Sequence, residues 1–389
     1  MSGFGIYVHW PFCAAKCPYC DFNSHVRERY DETRWAAAIA RELAAVADLQ
    51  GVARPEVGSV FFGGGTPSLM SGKAVGCVLD AVARLWPVAP DVEVTLEANP
   101  NSAEQGRFRD YRTAGVNRLS IGVQSLREES LRALGRLHGV GEAKQAIQLA
   151  QATFPRVSFD LIYARPGQTA EAWQNELEEA LEFETEHLSL YQLTIEPGTA
   201  YATLARQGKL QVPDENAAAE LYELTQLICE RAGLPAYEVS NHSRPGAASR
   251  HNLTYWKYYD YAGVGPGAHG RLTISERRLA TYSERLPEKW LESVEQRGSA
   301  FEIVEVARLD AAHEHLLMSV RLSEGVDLEA YRMRWRLSPA RDRIAKLQQL
   351  GLLEVHADHL KATPRGRLVL NSIIAELADF AETPAVAVP

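Results

Sequence analysis

GIYVHWPFCAAKCPYCDF, residues 5–22, opens as one kind of segment and closes as another. GIYVHW (5–10) is a short apolar run rich in β-branched and aromatic residues, the pattern of a strand buried on both faces. The remainder is a loop that carries Cys13, Cys17 and Cys20, with three residues between the first two and two between the last two. A strand that delivers three thiols at its carboxyl end raises the question of what the other strands deliver.

Five further runs read as buried strands: VGSVFFG (57–63), VEVTLEA (92–98), NRLSIGV (117–123), RVSFDLIY (156–163) and HLSLYQLT (187–194). Amphipathic helices are predicted over 31–49, 69–86, 102–114, 126–153 (two helices), 169–183 and 214–232. In the first, Asp31 or Thr33 serves as the cap, and Trp35, Ile39, Leu43 and Val46 share one stripe. Six strand–helix units predict an α/β fold built on a parallel sheet with right-handed crossovers. An open doubly wound sheet and an incomplete barrel both satisfy that count.

The rhythm then breaks. Residues 237–270, rich in Tyr, Gly and His, are expected to extend the sheet edge, which makes 1–270 one domain. Residues 271–307 read as a connector, and 308–380 as a small winged-helix-like α+β module. Within it, helices are predicted over 309–322, 338–350 and 365–380, with a hairpin over 352–363 turning at Ala357–Asp358. Residues 381–389 read as a tail.

Bulk composition narrows the function classes. The 389 residues are 46% hydrophobic and 23% charged, ordinary for a globular chain. A net charge of −9 argues against a broad basic surface, and no nucleic-acid partner is expected. No apolar run is long enough to span a membrane. The stretch MSGFGIYVHWPFC lacks the features of a signal peptide, so the expected location is cytoplasmic, with peripheral membrane contact left open. Five cysteines, three of them clustered, point to metal binding rather than to disulfides. Cys77 and Cys229 lie in helical patterns and are expected as buried small hydrophobes.

Polar residues close every predicted strand: the cysteines, GGGTP (63–67), Glu97, Gln124, Asp160, and Thr194 with Glu196. Ligands of barrels and open parallel sheets sit at that end. Three thiolates suit zinc with His9 or His25 as fourth ligand, or a four-iron cluster with one iron left open. No distant Cys/His pair of zinc-site spacing accompanies them, which favours the cluster. The glycines of GGGTP allow close backbone approach and offer amide N–H groups to a ligand, or make an ordinary tight turn. Asp160 interrupts an apolar strand, a costly placement unless the carboxylate has partners.

Taken together, YVHWPFCAAKCPYCDF, FFGGGTPSL, RLSIGVQS, FDLIY, LTIEPGT and HNLTYW resemble the radical S-adenosylmethionine (SAM) proteins. The likeness is to the oxygen-independent coproporphyrinogen III oxidase group, and within it to the HemW haem-chaperone branch, from about residue 4 to the C-terminal module. It implies an incomplete (β/α)6 barrel and a [4Fe-4S] cluster on Cys13, Cys17 and Cys20. It also implies SAM chelated to the open iron. Tyr7 would lie beside cluster and SAM, Gly64, Gly65 and Thr66 at the methionyl amino end, and Glu97, Gln124, Arg136 and Asp160 around the rest. In family chemistry one electron splits SAM to methionine and a 5′-deoxyadenosyl radical, and an electron donor is then needed. One departure is ARPGQT where the family reads GLPGQT, placing Arg165 near the mouth.

The oxidases carry a further cysteine two residues after the third cluster cysteine, where this chain has Phe22. A phenyl ring cannot take a sulfur's role, so decarboxylation of coproporphyrinogen III is the disfavoured alternative. The chaperone branch is marked by HNxxYW, present as His251, Asn252, Tyr255 and Trp256. The resemblance implies His251 as a haem ligand with Tyr255 and Trp256 packed on the porphyrin, against a plain reading of His251 as a histidine hydrogen-bonded within an aromatic core. His242 and His269 compete for the ligand role. The expected function is therefore haem carriage and delivery to acceptor haemoproteins, membrane-bound respiratory enzymes among the candidates, with a homodimer left open.

Overall fold

The computed structural model describes residues 3–382, so 383–389 of the expected tail lie outside the described residues. The six expected strands form as β1 (Phe4–Trp10), β2 (Val57–Gly64), β3 (Val88–Ala98), β4 (Arg118–Gln124), β5 (Arg156–Tyr163) and β6 (His187–Gln192). All neighbouring pairs from β1 to β6 are parallel. The intervening helices include Glu32–Gln50, capped by the Asp31 side chain, with Trp35, Ile39, Leu43 and Val46 buried. The stretch predicted as helical over 102–114 forms two short helices, Ser102–Gln105 and Phe108–Ala114.

The segment after the barrel units reaches both edges of the sheet. β7 (Asn241–Ser243) pairs antiparallel with β6, whereas β8 (Tyr261–Val264) pairs parallel with β1. The sheet continues through β9 (His269–Ile274), β10 (Arg277–Ser283) and β11 (Phe301–Glu305), all antiparallel. Its order is β11-β10-β9-β8-β1-β2-β3-β4-β5-β6-β7. β1 and β6 are not bonded to each other, so the (β/α)6 core is an open, partial barrel.

The expected connector over 271–307 is thus corrected: it contributes three strands and the helix Pro287–Arg297 to the barrel body. That helix is fixed to Glu32–Gln50 by Trp290, which stacks on Trp35 with ring centroids 5.3 Å apart. The Trp290 indole also donates to the buried Glu42 carboxylate at 3.0 Å, as do the amides of Ala300 (3.0 Å) and Gly265 (2.7 Å).

A second hydrophobic core is built on Ala311, Leu316, Tyr331, Trp335, Leu360, Ile373 and Leu377, with Tyr258 from the barrel side. Its helices include Arg308–Ser319, Leu328–Trp335, Arg341–Gln349 and Leu370–Leu377. The expected hairpin forms as β14 (Leu353–His356) and β15 (His359–Ala362), after β12 (Val326–Asp327) and β13 (Leu337–Pro339). It turns at Ala357 and Asp358, both in the left-handed region with φ 47° and 63°. Strand β16 (Phe380–Glu382) pairs with β13, so the module runs to 382, beyond the expected boundary at 380. Among the described residues no helix is long and apolar enough to cross a membrane.

Candidate cluster and cofactor site

The carboxyl ends of β1 to β6 open into a cavity of about 390 Å³. Its wall carries Cys13, Cys17, Cys20, Gly64, Gly65, Thr66, Glu97, Gln124, Arg136 and Asp160. Separate strands thus bring together every residue expected at the cluster and SAM except Tyr7. The Tyr7 hydroxyl instead hydrogen-bonds His9 Nδ1 at 3.0 Å, and its ring stacks on Phe61 and His251.

The glycine loop works through its backbone. Gly64 has φ 109°, and a Cβ there would meet the His9 ring at 2.7 Å. A Cβ on Gly65 would meet the Phe12 carbonyl oxygen at 2.7 Å. The Gly65 amide donates to Trp10 O at 2.7 Å and the Thr66 amide to Phe12 O at 2.8 Å. This corrects the expectation that these amides are offered to a ligand: both are used to clamp the cysteine loop onto the end of β2. His9 Nε2 meets Asn23 O at 2.9 Å, and Asn23 Nδ2 donates to Pro266 O (2.8 Å) and Arg285 O (2.9 Å), pinning the far end of the same loop.

Polar groups converge on the sulfurs. The Thr66 hydroxyl donates to Cys13 Sγ at 3.3 Å, and Arg136 Nη1 to Cys17 Sγ at 3.5 Å. Arg136 Nη2 also donates to Asn99 Oδ1 (2.6 Å) and Gly122 O (2.9 Å). Burial pushes the Cys13 and Cys20 thiols up. Among the described residues no three His, Cys, Asp or Glu side chains crowd closely enough to hold a single metal ion. A cuboidal cluster gives each thiolate its own iron, and three half-exposed thiols around one cavity with hydrogen-bond donors at two sulfurs suit it.

The same cavity is lined by two carboxylates, Glu97 and Asp160. Burial and the neighbouring Asp160 push the Glu97 carboxyl up to about 8, opposed by the Gly64 amide. Burial likewise pushes Asp160 up to about 6, opposed by the Ser189 hydroxyl and Arg118. Gln124 ends β4 in the left-handed region, φ 69°, beside a register shift between β4 and β5. Such strain in a non-glycine residue marks a side chain aimed by its surroundings. Asn99 was not anticipated, although its place two residues past Glu97 at a strand end carried the same signal as the others.

The sequence profile of the Radical SAM superfamily matches residues 7–180, and that of the HemN C-terminal domain matches 306–369. The Heme chaperone HemW of Escherichia coli is 38% identical over 376 residues, covering 95% of this chain and 96% of that protein. This chain belongs to the HemW group of the radical SAM superfamily. The bovine Radical S-adenosyl methionine domain-containing protein 1, mitochondrial, is 40% identical over 387 residues, with coverage of 96% and 86%. The solved coproporphyrinogen III oxidase (HemN) of Escherichia coli shares the fold with TM-score 0.80 at 21% identity, over 97% of this chain and 90% of its own.

The family's other marks fall elsewhere. Phe22 lies on the rim of the cavity and is 60% exposed. Arg165 is not at the mouth: it is buried in an ion pair with Glu176 and donates to Ser125 Oγ at 2.5 Å. His251 lies in the helix Arg250–Trp256, buried, with Nδ1 3.1 Å from Ser59 Oγ and its ring stacked on Phe61 and Tyr7. Burial pulls it down to about 4, so it is neutral. Tyr255 lines a second cavity, and Trp256 packs beside it under the Arg321 guanidinium. His242 is buried on β7 and His269 is exposed on β9. Of the two remaining cysteines, Cys229 is buried but Cys77 is exposed. The helix Gly72–Leu85 buries Ala74, Val75, Val78, Ala81 and Val82, and residue 77 falls off that stripe.

Proposed function

We propose that this chain is a haem chaperone that holds a [4Fe-4S] cluster and SAM in the first cavity and carries haem to acceptor haemoproteins, membrane-bound respiratory enzymes among them. The observation that carries the reading is the rim of that cavity. Three cysteines and the Glu97–Asp160 pair are assembled there, while the position of the oxidases' further cysteine is held by the exposed ring of Phe22.

Cys13, Cys17 and Cys20 would hold three irons, with Thr66 and Arg136 donating to the sulfurs. Gly64, Gly65, Thr66, Glu97, Gln124, Arg136 and Asp160 would surround SAM, with Tyr7 supporting them through His9. A cluster held there, once reduced by an electron donor, would supply one-electron reduction of SAM. Arg136 bridges Cys17 to the β3–β4 end of the wall through Asn99, and so ties the cluster loop to the cofactor's walls.

The test is an anaerobic haemin titration of the cluster-loaded chain, followed in the Soret region, beside reconstitution of an apo-haemoprotein from the loaded chaperone. Saturation near one haem per chain, with transfer to the acceptor, supports the reading. Shallow unsaturable uptake, or production of protoporphyrinogen from coproporphyrinogen III, overturns it.

A further inference from the structure

Haem would need a place to sit, and the structure holds a second cavity distinct from the cysteine-lined one. Its volume is about 360 Å³, within the roughly 300–1,000 Å³ typical of ligand pockets. It lies between the barrel edge, which supplies Tyr255, Tyr258, Tyr261 and Arg271, and the C-terminal module, which supplies the rest. The module's part of the wall is chiefly aliphatic, with Leu316, Met318 and Ile374, and includes His313.

The polar wall satisfies itself. Arg271 donates to both oxygens of Glu314 at 3.0 and 2.9 Å, and the Tyr258 hydroxyl donates to Glu314 at 2.6 Å. The pair neutralises its own charge, which leaves the cavity suited to an uncharged aromatic face rather than to an anion. His313 differs. Its Nε2 stands 2.9 Å from the Ala378 carbonyl oxygen, which can only accept, so Nε2 carries the proton. In the neutral ring Nδ1 is then the lone-pair atom. An imidazole that donates its other N–H to a backbone carbonyl is the usual state of a metal-ligating histidine. The ring is also held in place by stacking on Phe380, with centroids 4.6 Å apart.

We infer that this second cavity is the haem site: one edge of the macrocycle enters between the tyrosines and the aliphatic wall, and His313 Nδ1 ligates the iron. The inference rests on the chaperone reading above. It gives His251 to the fold, because that ring is buried and stacked on Phe61 and Tyr7. A cavity of this size leaves much of a porphyrin uncovered, propionates included, as handover to an acceptor requires. Its walls belong to two cores, so a shift of the module relative to the sheet would release the cargo.

The experiment is the same haemin titration with His313→Ala, Ile374→Trp and His251→Ala. His313→Ala removes the ligand, and Ile374→Trp fills the apolar wall whichever group ligates. Expected are a displaced Soret band with at least tenfold weaker binding for His313→Ala, and a loss of stoichiometric uptake for Ile374→Trp. His251→Ala is expected to keep the wild-type band. Wild-type spectra and affinity in both cavity variants overturn this site and leave the chaperone reading standing. No saturable uptake by the wild-type chain overturns both. Circular dichroism of each variant separates misfolding from loss of the site, and the ligand assignment is read from the band position of the folded fraction.

Discussion

Two carboxylates within one buried wall set the electrostatics of the first cavity. Glu97 and Asp160 are held up at about 8 and about 6 by desolvation and, for Glu97, by its neighbour's charge. A bound cation offsets both effects, so cation affinity grows as the pair ionises. SAM carries a sulfonium, and its binding to the cluster-loaded chain is expected to strengthen as pH rises from about 6 to about 8. Without a cation the stability effect has the opposite sense. A carboxyl raised in the folded state contributes fully below its ordinary 4.5 and loses that contribution as pH rises through about 8. Glu97→Gln should flatten the binding profile, measured by calorimetry across that range. A flat profile in the wild-type chain would contradict the assignment of the pair to a cationic ligand. The two carboxylates were legible in the sequence because each is a charge set within or near the end of an apolar run. Asn23 and the Arg165–Glu176 pair were not, since their partners lie at backbone carbonyls and on a helix that no local pattern joins to them.

At the level of elements, the central strands could be read because burial on both faces leaves continuous apolar runs. Strands β9 and β10 could not. Their sequence, HGRLTISERRLATYS, carries three arginines, each paired only in three dimensions: Arg271 with Glu314, Arg277 with Glu305 and Arg278 with Asp260. The glycine loop was legible as a special turn, while the use of its Gly65 and Thr66 amides on the cysteine loop was not. It binds the cysteine loop with backbone hydrogen bonds and leaves no space for a side chain. Gly65→Ala should therefore displace the loop, lowering iron and sulfide per chain and costing about 1–3 kcal/mol through overpacking. Gly141→Ala, where a Cβ would meet nothing within 4 Å, serves as control and should retain full iron. Equal iron contents in the two variants would show that the loop tolerates the shift and that the clamp does not position the thiols.

At the scale of the whole molecule, the barrel and the C-terminal module share one aromatic ring at their boundary. Tyr258 belongs to the sequence of the barrel's edge, yet its ring is packed within the module's core. Arg278 lies over that ring at 4.2 Å and Arg334 at 5.4 Å, and His315 stacks on it with centroids 5.4 Å apart. Its hydroxyl donates to Glu314, which in turn holds Arg271 of β9. The residue is itself in the left-handed region, φ 55°, a conformation that the surrounding contacts must enforce. Tyr258 thus joins barrel and module alongside the Arg271–Glu314 and Lys257–Glu324 ion pairs and the Ser319–Trp256 hydrogen bond, and it also walls the second cavity. Tyr258→Phe keeps the ring and removes the hydroxyl. Loss of a hydrogen bond to a charged group is expected to cost about 1.5–3 kcal/mol. Because the cost falls at the joint between the cores, it should appear as separation of two unfolding transitions that coincide in the wild-type chain, with tryptophan fluorescence and far-ultraviolet circular dichroism as the two probes in urea. A single shifted transition would mean that the two cores unfold as one unit and that other contacts across their boundary carry the coupling.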